Sequence, residues 1–325
     1  MQNLSRNSRE NREKKKQQKQ NKRKRQKDNL KKLQRGETVT ITMRAKMPKP
    51  NEYKSIFDPK VIEDKIKILN NLDLRVVNDS EIISAVSEVI SFQPQPGIRI
   101  TSMCVGTRNI KGNYLYRVRA CNGNCVASMA KHGDAWNPPP HVITRKGRLN
   151  SENESLLYVA ENIETAIKEV KVKEEECFWL TVYNIENEIS TVNIGDRTFF
   201  EQDDYYPIHV KIADFLRNEF TRDVKPGKEY EYRISNLISK FFYPIRELDG
   251  WSYPSVAYFG QYSLCLDPIK AKEKLSVAFV MHCAMQNNEV TCDEVAFLNE
   301  EGNFEHVTVD EALTRDERLR EYFKA

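Results

Sequence analysis

The sequence lacks any uninterrupted apolar run that approaches the roughly 20 residues needed to cross a bilayer. It also has no apolar segment directly behind its charged N-terminus, as a secretory signal requires. Both absences predict a cytoplasmic protein that makes no membrane contact. The 325 residues nevertheless include 39% hydrophobic and 10% aromatic side chains, which is enough to bury a large core.

Cysteine and histidine are too few, and too irregularly placed, to indicate a disulfide framework or a metal cluster. The seven cysteines are odd in number and mostly have apolar neighbours, which predicts reduced thiols. Cys121 and Cys125 have a CxxxC spacing, but no second cysteine or histidine pair at zinc spacing follows them, so no metal site is predicted. The five histidines match no motif, and most are expected to have no catalytic role.

Positive charge is concentrated at one end of the chain. Residues 1–36 contain 15 Lys and Arg against 3 Asp and Glu, whereas the remaining residues contain 36 against 44. Almost nothing in this stretch is apolar, so it is predicted to be a disordered basic arm. Such an arm either contacts nucleic acid or an acidic surface, or only keeps the protein soluble. Because no aromatic residue interleaves the charges, nucleic-acid contact is the weaker alternative.

Residues 37–108 are predicted to form an accessory, mostly helical segment that ends in a linker. Thr38–Arg44 alternates as a β-strand does, Asp58 and the proline after it open one helix, and Asn78 caps a second. The Gln93–Gly97 stretch, with two prolines and a glycine, indicates the linker.

Two arginines are predicted to share one face of a strand. Tyr114–Arg119 alternates as a half-buried strand does, so Arg117 and Arg119 point to the same side of it. The planar guanidinium fork suits a phosphate or carboxylate ligand, whereas paired arginines on an isolated strand are more often simply solvated. Both residues are therefore candidate anion-binding residues.

A carboxylate follows on a predicted helix. After the prolines at 138–140 and a short Leu156–Ala160 strand, Asn162 is a suitable N-cap. The buried stripe of the helix is predicted to consist of Ile163, Ala166, Ile167 and Val170. Glu169 lies on the flank of that stripe, so its carboxylate either reaches the lip of a pocket or is a solvated helix glutamate.

The remaining segments alternate between strand and helix patterns. Cys177–Tyr183 and Ile189–Ile194 are β-rich, Ile208–Arg222 is amphipathic, and Lys274–Cys283 with Glu289–Leu298 suggests a C-terminal pair of strands. The predicted fold class is α+β: a compact mixed, mostly antiparallel sheet core with flanking helices, preceded by the basic arm.

Several motifs occur in a fixed order between about residues 112 and 270. They are Tyr116-Arg117, Gly147-Arg-Leu-Asn150, Leu157-Tyr-Val-Ala160, Glu164-Thr-Ala-Ile-Lys-Glu-Val170 and Asp249-Gly-Trp-Ser-Tyr-Pro-Ser255. This arrangement resembles the RES-domain family of NAD-degrading toxins, in particular its longer members. The resemblance implies a RES or ADP-ribosyltransferase-like fold over 109–270, with residues 271–325 packed on it as C-terminal strands and a tail.

The resemblance also implies roles for six residues. Arg117, Glu169 and Ser255 would be catalytic, and Arg148, Tyr158 and Arg119 would bind the substrate. Glu169 would stabilise positive charge on the ribose, the arginines would clamp the pyrophosphate, and Tyr158 would pack against nicotinamide or ribose. Ser255 would orient by hydrogen bonding, since the motif places no histidine to activate it. Arg119 competes with Arg117 for the first arginine and is the candidate for holding a phosphate acceptor.

The implied function is an NAD-degrading enzyme that cleaves the nicotinamide–ribose bond by phosphorolysis or hydrolysis. NAD is then a substrate rather than a cofactor, and inorganic phosphate is a co-substrate of the first reaction. An antitoxin protein is an expected partner, since toxins of this family are normally held in check by one. The alternatives are ADP-ribosyl transfer to a macromolecule, and a non-catalytic regulatory protein that binds nucleotide together with an acidic or nucleic-acid partner.

Overall fold

The computed structural model describes residues 58–95, 98–101, 106–110, 112–121, 129–196, 206–243, 245, 247–255, 260–287 and 289–323. All of them belong to one compact unit, Pro50–Ala325. The predicted basic arm at 1–36 and the predicted Thr38–Arg44 strand lie outside the described residues. No helix in the described ranges is both long and apolar enough to cross a membrane.

The first two helices begin at the caps that the sequence predicts. Helix α1, Pro59–Asn70, starts behind Asp58, whose carboxylate accepts the backbone N–H of Lys60. Helix α2, Asp79–Ile90, starts behind Asn78, which forms a reciprocal capping box with Glu81. These side chains satisfy backbone donors that the first helical turn leaves unpaired.

The predicted linker at Gln93–Gly97 is largely strand in the structure. Strand β1, Ser91–Gln95, continues directly from α2 and pairs antiparallel with β2, Ile98–Thr101. Pro94 is tolerated within β1 because a two-stranded sheet leaves edge positions that need no donor. Pro96 and Gly97, the end of the predicted linker, lie outside the described residues.

A ten-stranded sheet forms the centre of the protein. Its strands are β3 Gly106–Ile110, β4 Tyr114–Ala120, β5 Leu157–Ala160, β6 Cys177–Ile185, β7 Ile189–Asn193, β8 Gly250–Pro254, β9 Tyr262–Leu266, β10 Leu275–Gln286, β11 Glu289–Leu298 and β12 Phe304–Thr308. Their order across the sheet is β12-β11-β10-β6-β4-β5-β9-β8-β7-β3. Only β7 and β8 are paired parallel among these neighbours of the described chain, so the sheet is mostly antiparallel and the α+β prediction is confirmed.

Five further helices flank this sheet. They are α3 Ile163–Val170, α4 Tyr206–Phe220, α5 Arg233–Phe241, α6 Pro268–Lys274 and α7 Val309–Arg315. Side chains of α1 and α2 share one buried cluster with α4, α5 and β8, which includes Ile62, Ile82, Phe215 and Trp251. A second cluster joins α3 to β4, β6 and β10.

Two predicted details differ in the structure. Val170 was expected in the buried stripe of α3, yet its side chain is 38% exposed at the last turn of the helix, where the chain leaves through Lys171 in the left-handed region. The boundary expected between residues 108 and 109 falls inside β3, which pairs with β7 as part of the main sheet.

The sheet opens between β4 and β5. These neighbours share a single Cα pairing within the described chain, Tyr116 with Ala160. On its other side β4 pairs along its whole length with β6, and β5 pairs along its whole length with β9. The two halves of the sheet therefore diverge from this pairing, and side chains rather than ladder hydrogen bonds fill the gap between them.

Candidate functional site

A cavity of about 440 Å³ lies where β4 and β5 diverge. Arg117, Arg148, Tyr158 and Glu169 all line it, so four of the six residues expected at a site meet there. Its volume falls within the range of about 300 to 1,000 Å³ that is usual for small-molecule sites.

Two serine hydroxyls hold the Glu169 carboxylate in this cavity. Ser255 Oγ donates to Glu169 Oε1 over 2.6 Å, and Ser263 Oγ donates to the same oxygen over 2.8 Å. Both serines are almost fully buried. The backbone N–H of Ser255 donates to the Gln261 carbonyl, which closes the β8–β9 hairpin and sets both hydroxyls on one side. Hydrogen bonds to a charged group are among the stronger ones in proteins, so the carboxylate is fixed in position.

Ser263 was missed by the sequence analysis. It lies on β9 and lines the cavity directly, whereas Ser255 touches Glu169 from the end of β8. The sequence feature that could have indicated Ser263 is its place in Tyr262–Leu266, a short strand that follows the serine motif.

Arg117 is half-buried in the wall that β4 contributes. Its Nη1 atom has no hydrogen-bond partner among the described residues. Burial lowers the pKa of the guanidinium from its usual value, and the like charge of Arg119 acts in the same direction. Since arginine stays protonated in proteins, the result is a cation with an unused donor beside the cavity.

Arg148 lies on the opposite wall, in the loop before β5. Its Nη2 donates to the Arg222 carbonyl over 2.9 Å, while its Nε is buried without a partner among the described residues. The guanidinium lies 5.5 Å from the ring centroid of Tyr232 and 5.8 Å from that of Tyr253. Aromatic faces and one carbonyl therefore fix the side chain while leaving a donor available.

Tyr158 connects the same loop to β5. Its hydroxyl donates to Asn150 Oδ1 over 2.9 Å, and the Gly147 N–H donates to the Asn150 carbonyl over 2.9 Å. A Cβ on Gly147 would lie 2.2 Å from Asn150 Oδ1, so a side chain there would displace the Asn150 amide. The Gly147-to-Asn150 motif is thus a compact loop that presents Arg148.

Arg119 does not join the other five residues. It is exposed, pairs in register with Trp179 of β6, and is absent from the cavity wall. The prediction that it shares a strand face with Arg117 agrees with the extent of β4, but of the two arginines only Arg117 lines the cavity.

No metal centre accompanies the cavity in the described ranges, where no three His, Cys, Asp or Glu residues cluster at ligand distance. Cys121 forms no disulfide in the described part of the chain, and Cys125, the second cysteine of the CxxxC spacing, lies outside the described residues. Three of the histidines form contacts elsewhere: His132 with Trp136, His282 with Asp293, and His306 with Glu294.

A sequence model of the RES domain matches residues 114–278, about half of the chain. The protein belongs to the RES-domain family. The known activity of this family concerns NAD. The matched range of the RES domain begins at β4 and ends within β10, and it contains all six residues expected at the site. No curated protein and no solved structure matches the chain.

Proposed function

We propose that the RES domain of this protein cleaves NAD at the bond between nicotinamide and ribose, by phosphorolysis or hydrolysis. The observation that carries the proposal is the Glu169 carboxylate, held by two serine hydroxyls inside a cavity that two half-buried arginines also line. NAD is the substrate, and no further cofactor is required by this chemistry.

Cleavage of this bond develops oxocarbenium-like positive charge on the ribose, while nicotinamide is already a good leaving group. The enzyme therefore needs a fixed negative charge near the ribose more than it needs a general acid. Glu169 supplies that charge, and Ser255 and Ser263 keep it from reorienting as the reaction proceeds. A preorganised charge of this kind often makes the largest single contribution to catalysis.

Arg117 and Arg148 supply the complementary positive charge. Each keeps a buried N–H donor without a partner among the described residues. A pyrophosphate between them would accept both donors, which removes the cost of leaving buried polar groups unsatisfied. Arg119 is exposed outside the cavity, so it gives no support to a separate phosphate-binding site. The proposal therefore includes both water and phosphate as acceptors.

The decisive experiment measures nicotinamide release from NAD by the purified full-length protein, with and without inorganic phosphate. Chromatography of the second product distinguishes the acceptors, since water yields ADP-ribose and phosphate yields its 1-phosphate ester. Glu169→Gln should lower the rate by about 10² to 10⁴ while the protein stays folded.

The matched control is Glu164→Gln, on the same helix but exposed and away from the cavity wall. It should turn over NAD at the wild-type rate. Nicotinamide release by folded Glu169→Gln at the wild-type rate would remove this residue from the mechanism. If the wild-type protein binds NAD and releases no nicotinamide, the non-catalytic alternative is correct. Nicotinamide release together with transfer of label from NAD to a macromolecule would instead identify ADP-ribosyl transfer.

The resemblance to NAD-degrading toxins adds two proposals about partners. An antitoxin protein would restrain the activity, and the basic residues 1–36 would contact polyanions weakly. Co-expression with candidate partners, followed by measurement of nicotinamide release, tests the first.

A further inference from the structure

A second carboxylate lines the cavity at some distance from Glu169. Glu154 lies in the chain before β5 begins. Glu169 is held by Ser263, and Ser263 pairs with Ala160, the last residue of β5. The three steps from Leu157 to Ala160 span about 10 Å at the usual rise of a strand. Glu154 and Glu169 are therefore associated with opposite ends of β5.

Lys240 and Ser151 bind one oxygen of the Glu154 carboxylate. Its Oε2 accepts from Lys240 Nζ over 2.6 Å and from the Ser151 N–H over 2.7 Å. Lys240 Nζ also donates to Ser151 Oγ over 2.7 Å. Lys240 is not part of the cavity wall, so the carboxylate lies between the ammonium group and the cavity. Oε1 makes no hydrogen bond to another residue in the described ranges and is left for a ligand.

We infer that Glu154 hydrogen-bonds the hydroxyls of the adenosine ribose and thereby selects NAD over NADP. The inference rests on the proposed function, because it assumes a dinucleotide in this cavity. NAD consists of two riboses joined by a pyrophosphate, and the cavity presents two carboxylates together with Arg117 and Arg148. With Glu169 at the nicotinamide ribose, Glu154 is the acidic group left for the other.

The chemistry of the two cofactors explains the selection. A carboxylate accepts hydrogen bonds from a ribose diol, as acidic residues do in other dinucleotide sites. The 2′-phosphate of NADP cannot donate such bonds and would bring negative charge against Glu154. Lys240 does not reverse this preference, since its ammonium group is already bonded to Glu154 and Ser151 on the side away from the cavity.

Binding of ADP-ribose and of ADP-ribose 2′-phosphate to the full-length protein tests the inference. Both compounds lack nicotinamide, so their dissociation constants, measured by calorimetry, do not depend on catalysis. The wild-type protein should bind ADP-ribose more tightly by about tenfold or more, because like charges at a binding interface are strongly disfavoured. Glu154→Gln should bring the two constants close together. Glu152→Gln, exposed and away from the cavity wall, should keep the wild-type ratio.

Equal binding of both compounds by the wild-type protein, or a ratio that Glu154→Gln leaves unchanged, overturns the inference, and so does a lack of binding to ADP-ribose. If Glu154→Gln fails to fold, Lys240→Gln is the substitute test. It removes the positive charge that partly offsets Glu154, so the preference for ADP-ribose over its 2′-phosphate should increase. An unchanged preference overturns the inference. Cleavage of NAD without this discrimination defeats the inference alone. Discrimination without any cleavage defeats the proposed function alone.

Discussion

Removal of the two hydroxyls that hold Glu169 should slow NAD cleavage without removing the charge itself. Ser255 and Ser263 donate to the same carboxylate oxygen, over 2.6 Å and 2.8 Å. After one is replaced by alanine, the other still fixes the carboxylate. After both are replaced, the Glu169 carboxylate loses both hydroxyl donors and is held less firmly beside the ribose.

The expected magnitudes follow from this shared acceptor. A hydrogen bond to a charged group contributes about 1.5 to 3 kcal/mol, but only part of that bears on catalysis while a second donor remains. Each single alanine variant should therefore lose roughly tenfold in kcat, about 1.4 kcal/mol of barrier. The double variant should lose about 10³, more than the product of the two single effects, since contacting groups are coupled by about 0.5 to 3 kcal/mol.

The assay is nicotinamide release under saturating NAD, with the thermal unfolding midpoint recorded for each variant. Ser252→Ala is the matched control, because Ser252 lies on the same strand as the Ser255 motif and is buried, but its hydroxyl contacts Val192 and Asn193. It should keep wild-type kcat. The reasoning fails if the double variant is as active as Ser252→Ala, or if the two single losses simply multiply.

Three further predictions concern other parts of the protein. Arg117→Lys should raise the KM for NAD at least several-fold in steady-state kinetics, because a point charge replaces a guanidinium fork that reaches the cavity. Arg119→Lys should leave the KM values for NAD and phosphate unchanged, and the reverse pattern would exchange the roles of the two arginines. Deletion of residues 1–36 should preserve turnover and the thermal midpoint but weaken low-salt retention on a polyanion column, and a large fall in the midpoint would contradict this. Gly250→Ala should lower the free energy of unfolding by about 1 to 3 kcal/mol or more in denaturant titrations, since its Cβ would lie 2.1 Å from the Cys265 carbonyl oxygen.

Features that depend on a few neighbouring residues were predictable from the sequence. Asn162 accepts the Thr165 N–H over 2.8 Å and starts α3, as its position before an apolar stripe indicates. Asp58 and Asn78 cap α1 and α2 in the same way. Capping and periodicity act within one or two turns, so the printed sequence contains what they need.

Contacts between distant segments were not predictable in this way. Ser263 lies 94 residues from Glu169, and their contact exists because β5 pairs with β9 in one register. The linker expected at Gln93–Gly97 became strand β1 because Ile98–Thr101 is available to pair with it. Local composition reports a preference for turns and loops, but pairing with another strand overrides it.

By itself, the sequence determined the α+β class, the caps of α1, α2 and α3, and the RES family motifs that contain Arg117, Glu169 and Ser255. Only the tertiary structure decided which of these side chains meet. The alternation along β4 places Arg117 and Arg119 on one face, but a strand does not encode what lies against that face. Because β4 and β5 separate beyond the Tyr116–Ala160 pair, a cavity forms beside Arg117, while Arg119 stays at the exposed surface.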